Sequence, residues 1–116
     1  MHPIQTLSLT RAEGHLSPNP LGEDFTGGAL TANGTGVDLT LSTTARLRGS
    51  TIRLLKKEEF YDLVAEIEGG LVEMRAHPTS FKVAAPSSDH TVEATFESSR
   101  HQIKNFHGED FPDVLK

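Results

Sequence analysis

The sequence predicts an α+β domain: a mostly antiparallel sheet of about six to seven strands, with one amphipathic helix packed on one face. Three observations carry that expectation. Several runs alternate apolar and polar residues with the period of two that a half-buried strand requires. One run, Lys56 to Glu68 (KKEEFYDLVAEIE), places Phe60, Leu63, Val64 and Ile67 at i, i+3, i+4 and i+7, the spacing of one buried helical face. Short Gly- and Pro-containing turns separate the runs. At 116 residues, 35% hydrophobic and 23% charged, the chain fits a single globular domain spanning 1–116.

In chain order, Ile4 to Leu9 reads as a strand with Leu7 and Leu9 on one face. His15 to Thr26, with Pro18, Pro20 and Gly22, reads as a loop. Leu30 and Ala32 precede Asn33-Gly34, the strongest two-residue hairpin signal. Beyond it Val37, Leu39, Leu41, Ala45 and Leu47 face the core, while Asp38, Thr40, Ser42, Thr44 and Arg46 face water. TIRLL (51–55) reads as a short strand feeding the helix 56–68, and Gly69-Gly70 as the helix stop. Val72, Met74 and Ala76 form the next strand, ended by Pro78. Phe81, Val83 and Ala85 form another, then Val92, Ala94 and Phe96, with a last strand around Ile103 to Phe106.

Eleven Lys and Arg against sixteen Asp and Glu give a formal charge of -5. That disfavours a nucleic-acid binder, which needs a concentrated basic surface. It favours a basic protein partner. There is no Cys, so disulfide and thiolate chemistry are excluded and a reducing compartment fits best. MHPIQTLSLT lacks the basic region and apolar run of a signal peptide, and no stretch approaches the ~20 apolar residues of a membrane span. A soluble cytoplasmic protein is expected.

Catalytic and metal constellations are not visible in the sequence. His101 and His107 stand near Glu109 and Asp110, but Gly108 interrupts the run and no His-x-His or His-Glu-x-x-His spacing occurs. Serines sit in turn-like contexts without a strand-to-helix elbow. Gly27-Gly28 and Gly34-x-Gly36 precede no helix, so neither matches a phosphate-binding fingerprint. No enzyme activity, metal or cofactor is expected. Arg46, Arg48 and Arg53, with Lys56 and Lys57, form a basic cluster that solvates a strand face.

The feature that points to function is the second face of the helix. Glu58, Glu59, Asp62 and Glu66 project from it, with Tyr61 at its margin. Glu58 with Asp62, and Asp62 with Glu66, are like-charge i,i+4 pairs, each costing a few tenths of a kcal/mol. A surface kept acidic at that cost suits a basic partner. The expected contact surface is Glu58, Glu59, Tyr61, Asp62 and Glu66, extended by Glu109, Asp110 and Asp113, with Tyr61 as a rigid aromatic anchor.

Two family resemblances accompany this reading. The order GEDFTGGAL, TARLRG, EEFYDLVAEI, GG-LVEM, FKVAA, DHTVEATF and FPDVL resembles the small WapI-type immunity proteins of bacterial polymorphic toxins. That resemblance implies a bacterial, non-catalytic inhibitor binding a toxin or effector domain. SSRHQIKNFHGEDFPDV and TIRLLKKEEFYDLV resemble, in turn, a single domain of the bacterial sliding clamp, which implies a DNA-associated ring of several copies. Four carboxylates on one helix face suit a basic protein and repel phosphate.

Overall fold

Alternating strands this short must bury one face each, and a closed sheet does so without leaving exposed edges. The computed structural model describes residues 2–11, 19–20, 25–34, 36–53, 55–81 and 91–108. Among them are eight strands: β1 (His2–Arg11), β2 (Asn19–Pro20), β3 (Phe25–Asn33), β4 (Thr40–Arg48), β5 (Tyr61–Ile67), β6 (Gly70–Phe81), β7 (Thr91–Ser99) and β8 (Ile103–Gly108). A single helical turn, α1 (Gly49–Ile52), follows β4. Six strands close a barrel in the order β1-β3-β4-β7-β6-β5, with β5 pairing back onto β1. Every pairing is antiparallel.

Side chains fill the barrel. Leu39, Leu41, Ala45 and Leu47 point inward with Leu7, Leu30, Leu63, Val72, Met74 and Phe96. At one end Ile52 and Leu55, in and just after α1, are buried in the same core. Each such aliphatic side chain contributes about 1.5–3 kcal/mol by leaving water. Small barrels of this kind are filled by side chains, so the candidate site described below lies on the outer wall.

The antiparallel sheet matches the sequence expectation; the helix does not. Residues 61–67 form β5, clamped between β1 and β6, so the fold is a mostly-β barrel rather than α+β. Leu63 and Ile67 satisfy both periods, and the choice falls on the residues between them. Tyr61 and Ala65 are buried, whereas Phe60 is exposed and Val64 only half-buried, as a period of two demands. Tyr, Val and Ile also favour a pleated surface. Ile67 pairs Gly70, leaving Glu68-Gly69 as a two-residue hairpin turn in which Gly69 takes φ 83°.

Other boundaries shift for local reasons. Asn33 pairs Thr40, so Asn33-Gly34 opens a six-residue connection containing a 3-10 turn at Gly36–Asp38, with Val37 90% exposed. Thr51 and Ile52 of the expected strand TIRLL belong to α1 instead. β6 runs through Pro78, whose missing N–H is tolerated at a register shift between Pro78 and Ser80. Gly28 is required where β3 pairs β4, since a Cβ there would collide with the Thr44 carbonyl oxygen. Most of the expected loop at 15–26, and Val83 and Ala85, lie outside the described residues. Among those described, no helix is long and apolar enough to cross a membrane.

One irregularity positions the site. β6 pairs β5 along one edge, but its other edge is shared: Gly70–Met74 pair β8 and His77–Phe81 pair β7. Between β7 and β8 the chain makes a 3-10 turn, Arg100–Gln102, opposite the middle of β6. The buried Ser98 hydroxyl donates to the Arg75 carbonyl at 2.8 Å across this handover.

Candidate protein-binding site

Phe60 immediately precedes β5. Because Tyr61 turns inward, alternation aims Phe60 outward, where it is 43% exposed. Phe60 and Val37 are the exposed large hydrophobics among the described residues. The Phe60 ring meets His77 of β6 edge-on, with centroids 5.6 Å apart at 64°.

The turn that presents Phe60 is anchored from inside the barrel. Tyr61, only 1% exposed, sets its ring edge-on to Phe96 at 6.3 Å. Its hydroxyl accepts the Lys56 N–H at 2.8 Å and reaches Glu59 Oε2 at 3.4 Å. The Glu59 N–H donates to the Lys56 carbonyl at 3.2 Å, and the Lys56 ammonium lies 3.9 Å from Glu59 Oε1. The turn is thereby ordered before any partner arrives.

On the other side of Phe60, β6 and β8 supply cations. Asp62 and Arg75 are register partners on the outer wall, and Arg75 Nε donates to Asp62 Oδ1 at 3.4 Å. Lys104 reaches the same oxygen at 2.9 Å. Exposed pairs of this kind contribute about 0–1 kcal/mol each, so their main consequence is to hold two cations side by side.

The 3-10 turn completes the wall. Gln102 Oε1 accepts from both the Ser99 N–H at 3.0 Å and the Ser99 hydroxyl at 2.9 Å. Ser99 Oγ also lies 3.1 Å from His101 Nδ1. Which of the two donates in that contact is set by the imidazole tautomer. Phe60, Arg75, His101, Gln102 and Lys104 together line an open pocket of about 440 Å³. No carboxylate is among them.

The residues expected to form an acidic helix face do not come together. Glu58 and Glu59 lie in the turn before β5, and Tyr61 belongs to the core, not to a contact surface. Asp62 and Glu66 project from the outer wall of β5, separated by half-buried Val64, and Asp62 is engaged by Arg75 and Lys104. With no helix there is no continuous carboxylate stripe. Glu109, Asp110 and Asp113 lie outside the described residues. Arg46 and Arg48 do share the outer face of β4, Arg46 opposite Glu93.

Phe60, Arg75 and Lys104 were not singled out by sequence as one site. A period-two reading starting at Tyr61 exposes Phe60 from the sequence alone; the approach of Arg75 to Lys104 depends on the β6–β8 register. Comparison with protein-family models, curated proteins and solved structures returned no match to this chain.

Proposed function

We propose that the protein is a non-catalytic protein-binding module that docks a partner on the outer barrel wall around Phe60. The carrying observation is an exposed aromatic ring, held by an ordered turn, at a pocket otherwise lined by polar side chains. Aromatic anchors within polar rims are where interface energy concentrates. A phenylalanine buries on the order of 150–250 Å² when covered. With 43% of this one exposed, a partner gains on the order of 2 kcal/mol at about 25 cal/mol per Å². The filled barrel supports a surface mode of action, and an immunity-type inhibitor of a cognate effector is one form such a module takes.

The test is site-directed photo-crosslinking in cells of the source. A photoreactive phenylalanine at Phe60 is expected to capture one discrete protein, whereas the same group at Thr44, on the outer face of β4, captures none. Equal capture at both positions, or none at Phe60, would contradict the reading.

A further inference from the structure

The proposed docking site also carries a chemical preference, and the inference rests on that site reading. We infer that the partner presents an acidic segment: a carboxylate side chain next to an apolar one, with the apolar group on Phe60 and the carboxylate on Arg75 and Lys104.

The charge inventory supports this. The chain is net negative, yet the described residues that line the pocket are two cationic side chains, an imidazole, an amide and an aromatic ring. Asp62 uses one oxygen to hold both cations, taking only Nε of the guanidinium. Among the described residues the two terminal guanidinium nitrogens of Arg75 have no hydrogen-bond partner, and Lys104 keeps two of its three N–H groups beyond the bond to Asp62. Those donors border a pocket, and the planar fork of arginine matches a carboxylate. Asp62 shows that a carboxylate fits between the two cations, and a second one can occupy the faces it leaves. Asp62 is the carboxylate bonded to both cations, while Glu73 on β6 and Glu97, the register partner of His77, share the outer wall. The unused donors of Arg75 and Lys104 receive the carboxylate of an acidic segment, and its apolar neighbour covers Phe60.

The full chain, labelled with nitrogen-15, is titrated with the peptide Ac-Glu-Phe-Asp-Leu-NH2 and with its matched Gln/Asn and Lys/Lys versions. The acidic peptide is expected to shift the Phe60, Arg75, His101 and Lys104 amides saturably. It should bind roughly ten-fold or more tightly than the neutral peptide, with the basic one weakest. Arg75→Gln with Lys104→Gln should bring the acidic peptide to the level of the neutral one, with amide positions on β3 and β4 unchanged as proof of folding. Equal binding of the neutral or basic peptide at those amides overturns the inference while leaving Phe60 as the docking point. Matching shifts from inorganic phosphate at equal concentration also overturn it, since the pocket would then take a free anion. If no peptide shifts Phe60, the acidic-segment inference fails, and photo-crosslinking at Phe60 decides separately whether the docking site stands.

Discussion

Tyr61 illustrates how one side chain joins the core to the surface. Its ring packs against Phe96, and its hydroxyl holds the backbone of the turn that displays Phe60. Tyr61→Phe keeps the packing but strips the Lys56 N–H of its acceptor. Losing this part-buried hydrogen bond costs about 0.5–1.5 kcal/mol, which urea unfolding will read as a lower midpoint with an unchanged slope. Thr43 predicts the opposite sign. It is fully buried inside the barrel, and among the described residues its hydroxyl finds only the Met74 sulfur, at 3.6 Å. Thr43→Val replaces a weakly satisfied polar group with a methyl of similar size. The expected change is neutral to stabilising by up to about 1 kcal/mol, measured in the same unfolding experiment.

At the scale of the element, β5 is where sequence and structure part. The strands at 40–48 and 91–99 are legible because each alternates core-facing residues with polar ones on the intervening positions. In 61–67 both periods fit, and the tie is broken by partners distant in the chain: β1 on one side and β6 on the other. Local pattern contains no information about a strand from the N-terminus. Two substitutions separate the alternatives. Ala65 is 0% exposed and points into the barrel, although on a helix it would face water. Ala65→Glu forces an unpaired charge into the core, at a cost of several kcal/mol that is comparable with the whole stability of a small domain, so the variant should be unfolded by circular dichroism. Val64 lies on the helix core face but the barrel's outer wall, and Val64→Thr should change stability by no more than about 0.5 kcal/mol.

For the whole molecule, closure of the sheet decides where function can reside. The interior holds the apolar core, and on the outer wall the β7-to-β8 handover across β6 builds a pocket beside Phe60. The candidate site was mostly illegible for that reason: Phe60, Arg75 and Lys104 converge only once the β5–β6 and β6–β8 registers exist. Asp62 was visible as a surface carboxylate, but its engagement with two cations was not. The placement of Phe60 depends on β5 closing the barrel, since that pairing turns Tyr61 inward and Phe60 outward. Nuclear Overhauser contacts along 61–67 test this most directly. The barrel predicts that the Ala65 backbone contacts both Leu7 and Val72, its partners on the two flanking strands. Contacts between residues three apart within 61–67, with none to Leu7, would contradict it.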